Sequence, residues 1–253
     1  LVGFLLSDYI MNPFELVRQI AFAKGQIPVN AAVTEVDIRS DEWRQAFELV
    51  MNGMQGGYVT RPAEEREVVA ITSEEERYAL DPFISGFAAM RIEGSEYRKD
   101  LHAAERLGVN EADWRLAPIP IEPQYPDATQ GFSLGDIFAI AKESPNVNAA
   151  WEWIKFFHSE TIAERIVEEW GIPSRLSYIQ DNKGDDVGAF VKYGGDPRLS
   201  IYEHVAKTPR TFLNVFYNEI AKEEMNRLLD GLQTLDETIA QIEERGQSAF
   251  DEA

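Results

Sequence analysis

The chain has 253 residues, of which 44% are hydrophobic, and it carries a formal net charge of -20 at neutral pH. This apolar content excludes an intrinsically disordered chain, and the acidic balance argues against binding to nucleic-acid backbones. The sequence contains no cysteine and no run of about 18 apolar residues, which excludes thiol chemistry, disulfides and an evident membrane span.

The first predicted elements are a buried strand and two helices. The run Leu1–Leu6 is continuously apolar and predicts a strand. Because neither an initiator methionine nor a charged leader precedes this run, we expect the natural N-terminus to be missing. Residues 13–24 carry apolar side chains at helical spacing, and Ser40 followed by two acidic residues is typical of the start of a second helix. The glutamate-rich stretch 61–76 predicts a solvated loop and a short helix.

The middle of the chain alternates predicted strands and helices. A strand is predicted over Phe87–Ile92, and a helix follows that Gly108 ends. Two further strands are expected over Leu116–Pro120 and Ile137–Ala141, on either side of a proline-containing linker at 122–129.

The last hundred residues are mainly helical. A helix is predicted after Asn146, with Trp151, Trp153 and Phe157 as core residues on its apolar stripe. Near the C-terminus, Thr234 is predicted to form a capping box that starts the final amphipathic helix. Strands separated by helices indicate an α/β fold with a helical C-terminal part.

Several short segments follow one another in a recognisable order along the chain. These are residues 83–95 (F-x-x-G-x-A-A-M-x-x-x-G-S), the proline-ended stretch 114–120, residues 135–144 (G-x-x-x-A-I-x-K-x-S), Ala149–Trp153, the turn 171–175 (G-I-P-x-R), and the closing pattern of Gly231, Thr234 and Ile239. As an ordered set, this series resembles the extracellular solute-binding proteins of ABC importers, the group of the maltose-binding protein. Residues 1–82 are only weakly similar to that family.

The resemblance implies a periplasmic-binding-protein-like fold of type II, in which two α/β lobes hold a ligand between them. On this basis residues 1–128 and 171–253 form the second lobe. Residues 131–168 belong to the first lobe, whose N-terminal part is missing. The chain is then largely one lobe, and the strand Ile137–Ala141 lacks neighbours, so its apolar edge invites association.

The resemblance also implies which residues face the ligand. A sugar site combines aromatic platforms with fixed polar groups. The residues at the family's cleft positions are Glu96, Tyr97, Phe132, Ser133, Asp136, Trp170 and Arg175.

Each of these residues also fits a purely structural role. Tyr97 fits packing at a helix start, and Trp170 fits a core position near a helix end. Asp136 can cap a turn, and Arg175 can pair with a surface carboxylate.

The function that this resemblance implies is capture of a mono- or oligosaccharide without catalysis, and delivery to ABC permease subunits in the membrane. The protein is then extracytoplasmic, either periplasmic or a lipoprotein at the outer face of the cell membrane. No cofactor or metal is expected, because the three histidines lack zinc-site spacing and the acidic run 181–186 lacks that of a calcium loop.

Two alternatives remain open. A carbohydrate-active hydrolase would use paired carboxylates such as Glu96 and Asp136. An inactive truncated lobe would hold together by self-association.

Overall fold

The structure is a computed structural model that describes residues 2–5, 12–60, 73–109, 113–118, 121–124, 138–169, 172–173, 187–190 and 205–253. Its first half forms a small parallel sheet with helical crossovers. Strand β1 spans Val2–Leu5, β2 spans Val59–Thr60 and β3 spans Ala88–Arg91. The strand order is β2-β1-β3, with Phe4 opposite Val59 on one side and Met90 on the other. The apolar start of the chain therefore forms a strand, as predicted, and this strand is the central one of the three.

Two helices connect β1 to β2. Helix α1 spans Pro13–Ala23 and α2 spans Asp41–Gln55. The Ser40 hydroxyl accepts a hydrogen bond from the Trp43 amide at 3.3 Å, which confirms the predicted N-cap. Parallel neighbours require such a crossover, because a short turn cannot return the chain to the same end of the sheet.

The remaining helices follow in chain order. Helices α3 (Glu74–Ala79) and α4 (Tyr97–Leu107) flank β3, and Gly108 ends α4 in the left-handed conformation, as predicted. Helices α5 (Val147–Phe157) and α6 (Glu160–Glu169) form a pair, and a short 3-10 turn covers Val187–Phe190. The C-terminal part contains α7 (Arg210–Val215), a π-helical segment (Phe216–Ile220), α8 (Ala221–Leu229) and α9 (Leu235–Asp251). None of the helices in the described ranges has both the length and the apolar character needed to cross a bilayer.

The larger core joins the two ends of the sequence. The Phe14 ring stacks on Trp43 at 6.1 Å and meets the edge of Phe216 at 6.1 Å. Phe14, Trp43, Phe47 and Phe216 are all completely buried. A second, smaller core contains Tyr78, Ile84, Leu101, Ala104 and Trp114.

Three expectations about the middle of the chain are wrong. Residues 113–118 are irregular, so the described part of the predicted strand 116–120 forms no ladder; Trp114 instead packs into the smaller core and donates to Glu105 at 2.9 Å. Residues 138–141 are likewise outside any strand. The third error concerns the predicted core of α5: Trp151 and Trp153 are 52% and 51% exposed, and Phe157 is half-buried.

The prediction for α5 fails because the described elements leave most of its apolar stripe uncovered. The apolar stripe is present on the helix, but among the described elements α5 makes substantial contacts only with α6. Neither hydrophobic core includes it.

The last helix approaches the π-helical segment very closely. The predicted capping box is present: the Thr234 hydroxyl accepts from the Glu237 amide, and the Glu237 carboxylate accepts from the Thr234 amide at 2.7 Å. Twelve residues later, Gly246 faces the Phe216 ring, where an added Cβ would lie 2.9 Å from Phe216 Cε2. A larger residue at Gly246 would therefore push α9 away from the core.

We predict that Gly246→Ala destabilises the chain, although alanine is ordinarily the better helix former by about 1 kcal/mol. Overpacking against Phe216 costs about 1–3 kcal/mol and outweighs that gain. Urea denaturation measures the change. In a double-mutant cycle, Phe216→Leu should relieve much of the penalty, whereas additive losses would show that the close approach does not cause it.

Candidate functional site

The candidate site lies at the carboxyl edge of the parallel sheet. In open α/β sheets ligands bind beyond the carboxyl ends of the strands. At this edge β3 ends at Arg91 and leads through residues 92–96 into α4, while α1 begins at Pro13 beyond the end of β1. Leu5 and Arg91 are register partners, so β1 and β3 end side by side at this edge.

A buried ionic cluster holds the loop after β3. The Arg91 side chain is only 5% exposed and lies between two carboxylates: its Nη1 is 2.8 Å from Asp81 Oδ2, and its Nη2 is 2.8 Å from Glu93 Oε2. Burial alone would lower the pKa of Arg91, but Tyr97, Asp81 and Glu93 offset this effect and raise the pKa. Arg91 therefore stays charged and fixes both carboxylates.

Asp81 ties the same cluster to the turn before β3. Its Oδ1 accepts hydrogen bonds from the amides of Phe83 at 2.8 Å and Ile84 at 3.0 Å, while its Oδ2 meets Arg91. Both carboxylate oxygens are thus in use. The turns on either side of β3 are consequently held through one arginine.

Tyr97 is part of this cluster. Its ring centroid lies 4.3 Å from the Arg91 guanidinium carbon, and Phe83 meets it edge-on at 6.4 Å. Burial, followed by the nearby Asp81 carboxylate, raises the pKa of Tyr97 well above its usual range, so the hydroxyl stays protonated. Because Arg91 occupies one face of the ring, the structure gives Tyr97 a packing role, and its predicted contact with a ligand stays a prediction.

Glu96 has a different environment from its neighbour. It occupies the residue before α4, is exposed, and makes no side-chain cap. Its carboxylate folds back over Gly94, where an added Cβ would lie 2.3 Å from Glu96 Oε1. Gly94 thus leaves room for the Glu96 carboxylate, which is open to solvent at the sheet's carboxyl edge.

On the β1 side of the edge, Asn12 links α1 to the π-helical segment. Its Oδ1 accepts from the Phe14 amide at 3.0 Å, and its Nδ2 donates to the Tyr217 carbonyl at 3.0 Å. The guanidinium carbon of Arg18 lies 4.6 Å from the Tyr217 ring centroid. Burial raises the pKa of the Tyr217 hydroxyl to about 12, against the opposing effect of Arg18. Local π-helical turns are frequent at functional sites.

Five of the predicted site residues lie outside the described residues: Phe132, Ser133, Asp136, Trp170 and Arg175. The structure therefore brings together only Glu96 and Tyr97 of the predicted set. It adds Asp81, Arg91 and Asn12, which sequence reasoning missed. Asn12-Pro13 is a recognisable helix-start signature, whereas the pairing of Arg91 with Asp81 leaves no sequence signal.

The chemistry available at this edge is hydrogen bonding and electrostatics. Glu96 offers an exposed carboxylate, and α4 begins directly beside it. Within the ranges that the structure describes, no three His, Cys, Asp or Glu side chains gather in a way that could hold a metal ion.

Comparison with known proteins gives matches among solved structures. The sequence matches no protein-family model and no curated protein. The structure of this chain is similar to the sugar-binding protein MalE from Xanthomonas citri, with a TM-score of 0.63 and 18% identity over 99% of this chain and 59% of that one. The chain has the periplasmic-binding-protein-like fold.

Two further structures of this fold have similar statistics. The GacH receptor of Streptomyces glaucescens, solved unliganded and with acarbose, matches with a TM-score of 0.57 and 17% identity over 99% of this chain and 59% of its own. A solute-binding protein of an ABC transporter from Thermotoga lettingae, bound to α-D-tagatose, matches with a TM-score of 0.56 and 18% identity over 99% and 60%.

These matches confirm the predicted resemblance and the predicted fold class. The chain spans about 60% of the length of the solved relatives. All three relatives are binding proteins. At this level of identity the likeness establishes the fold, and the solutes are those of the relatives.

We predict that Arg91→Met lowers the free energy of unfolding by about 3–5 kcal/mol, because it leaves two largely buried carboxylates without their cation. Urea denaturation gives the value. The matched control is Arg115→Met, because the Arg115 side chain is 67% exposed and pairs with Asp113, which is 83% exposed. The control should change stability by less than about 0.5 kcal/mol. Equal small losses in both variants would contradict the assigned role of Arg91.

Proposed function

We propose that the chain binds a sugar in a cleft between two lobes and serves an ABC importer as its solute-binding protein. The observation that carries this proposal is the sheet's carboxyl edge: the exposed Glu96 lies there beside the start of α4, on a loop that the Arg91 cluster holds in place. A sugar hydroxyl donates well to a carboxylate, and hydrogen bonds to charged groups are the stronger ones.

The solved relatives support a sugar as the solute. One is a sugar-binding protein, another was solved with acarbose, and a third with tagatose. We extend this class of ligand to the present chain. Phe132 is proposed to stack on a sugar ring, and Ser133 and Asp136 to bind hydroxyls. Trp170 and Arg175 are proposed to border the same cleft, and Tyr97 to contact the ligand from the start of α4.

The proposed division into lobes is the one that the sequence resemblance implies. Residues 1–128 and 171–253 form the second lobe, and residues 131–168 contribute to the first. Two observations support this division. The larger core packs residues 13–54 against residues 212–250, and the α5–α6 pair has its main contacts within itself.

The proposed mechanism is lobe closure. A solute that contacts both lobes binds the closed form better than the open form and so shifts the population toward closure. The closed form would dock on the permease subunits at the outer face of the membrane. We place the protein outside the cytoplasm, in the periplasm or on a lipid anchor.

Thermal melting against a panel of mono- and oligosaccharides, including tagatose and acarbose, tests the proposal. A sugar at about 100 times its dissociation constant adds about 2.7 kcal/mol to native-state stability. For a chain of this size that raises the melting temperature by roughly 5–10 °C.

Glu96→Gln should reduce the shift produced by the active sugar, because the amide loses the charge that strengthens the hydrogen bond. The matched control Glu244→Gln, at an exposed position of α9, should leave the shift intact. No shift with any sugar would refute sugar binding by this chain. Release of a hydrolysis product from a bound oligosaccharide would instead favour the carbohydrate-active hydrolase.

A further inference from the structure

The π-helical segment lies inside one continuous helical rod near the end of the chain. Helix α7, the π-helical segment and α8 follow one another without a break over residues 210–229, which we call the C-terminal rod. The Ala221 amide donates to the Phe216 carbonyl, five residues earlier, whereas an α-helix would pair it with the Tyr217 carbonyl, four residues earlier. The π turn therefore takes up one extra residue and removes the α-helical donor of the Tyr217 carbonyl.

The burial pattern of the C-terminal rod explains why an extra residue is needed. Its buried side chains include every fourth residue, namely Phe212, Phe216, Ile220, Glu224 and Leu228. In a regular α-helix each such step turns by about 40°, so the five positions would spread over about 160°. The extra residue of the π turn absorbs about 100° of this rotation, and the remaining spread of about 60° fits a single buried stripe. In an α-helical register, one half of the rod would turn away from the core that the other half faces.

A side chain from the start of the sequence binds the carbonyl that the π turn releases. Asn12 Nδ2 donates to the Tyr217 carbonyl at 3.0 Å, across 205 positions of the sequence. The other end of the same amide caps α1, because Asn12 Oδ1 accepts from the Phe14 amide at 3.0 Å. Both contacts need an amide side chain, since an ionised carboxylate accepts hydrogen bonds but has no donor.

We propose that Asn12 selects the π register of the C-terminal rod, and that it is the positioning residue that links the carboxyl edge of the sheet to the C-terminal helices. In the π register the Asn12 amide has a backbone acceptor, whereas in an α register the Ala221 amide would take that acceptor. A half-buried donor that loses its acceptor is costly. The Asn12 amide therefore favours the register in which Phe212 and Phe216 both belong to the larger core.

This arrangement makes the register of the C-terminal rod sensitive to the place where α1 begins. Asn12 precedes α1 at the carboxyl edge, and Phe216 contacts both Phe14 and Gly246. A displacement of Asn12 would remove the bond that favours the π turn, and the change would reach α9 through Phe216. The inference depends on these contacts alone and is independent of the proposed sugar binding.

The substitution Asn12→Asp separates the two roles of this side chain. An aspartate still accepts from the Phe14 amide, but it turns a carboxylate oxygen toward the Tyr217 carbonyl in place of a donor. We expect the urea midpoint to fall by about 0.5 M. The matched control is Ser73→Asp, which adds the same charge at the N-cap of α3, where the side chain accepts from the Glu76 amide at 3.2 Å. The control should leave the midpoint unchanged, and an equal fall in both variants would refute the role of the donor.

Deletion of Asn218 tests the register itself. This exposed residue lies within the π turn, and without it the Ala221 amide and the Phe216 carbonyl are four residues apart, as in an α-helix. The Tyr217 carbonyl then regains an α-helical donor from the next turn. Asn12→Asp should therefore lower the urea midpoint by less than half as much in the deletion background as in the natural sequence. Losses of equal size in the two backgrounds would overturn the proposal.

A spectroscopic measurement on the whole chain needs no deletion. In NMR spectra of the 15N-labelled protein, Asn12→Asp should shift the amide resonances on both sides of the π turn, over residues 210–222, because a change of register pairs the carbonyls of the rod with new amides. A weaker helix cap alone would shift only resonances of α1. Shifts confined to α1 would therefore refute the proposal, even if the deletion variant does not fold.

Discussion

The packing of four aromatic rings, from Phe14, Trp43, Phe47 and Phe216, supports the rest of the described structure. The first three come from the opening helices, and the fourth comes from the π-helical segment near the end of the chain. Because these rings are fully buried, the helices that contribute them are held at defined positions. One of those helices, α1, begins at the carboxyl edge of the sheet, where the candidate site lies.

Polar contacts at the carboxyl edge then hold in place the loop and helix start that the core positions. Asn12 uses both ends of its amide, one for the start of α1 and one for the Tyr217 carbonyl. On the other side of the edge, Arg91 holds Asp81 and Glu93 and covers one face of Tyr97. As a result, the start of α1 and the loop after β3 are both held in place. Such fixed positions favour binding because less conformational freedom is lost when a ligand arrives.

Local signals in the sequence predict much of the fold. Ser40 and Thr234 start helices where their hydroxyls can accept from nearby amides, and Gly108 ends α4 because glycine tolerates the left-handed conformation. Each of these effects depends on residues a few positions apart. The chain's short strands are harder to predict, since a strand needs a partner: the described parts of 116–120 and 137–141 have apolar content but lie in no ladder.

The other differences between prediction and structure arise from contacts between residues that are not neighbours in the sequence. The apolar stripe of Trp153 and Phe157 predicts that one side of α5 seeks cover, but a pattern on one helix cannot say whether the covering polypeptide belongs to the same chain. Likewise, Arg91 gives no sign in the sequence that Asp81, ten residues earlier, will bind it. The sequence singles out the loop after β3 as a candidate site, and its ligand contacts stay a prediction, while the packing roles of Tyr97 and Arg91 depend on three-dimensional contacts.

Because both ends of the sequence contribute to one core, this core can be completed only late in synthesis. Trp43 leaves the ribosome more than 170 residues before Phe216, its neighbour across Phe14. At about 5–20 residues per second, that interval lasts roughly 10–35 s. During it the apolar sides of α1 and α2 have no C-terminal helices to cover them. The nascent chain therefore remains open to binding by chaperones until its last fifth has been made.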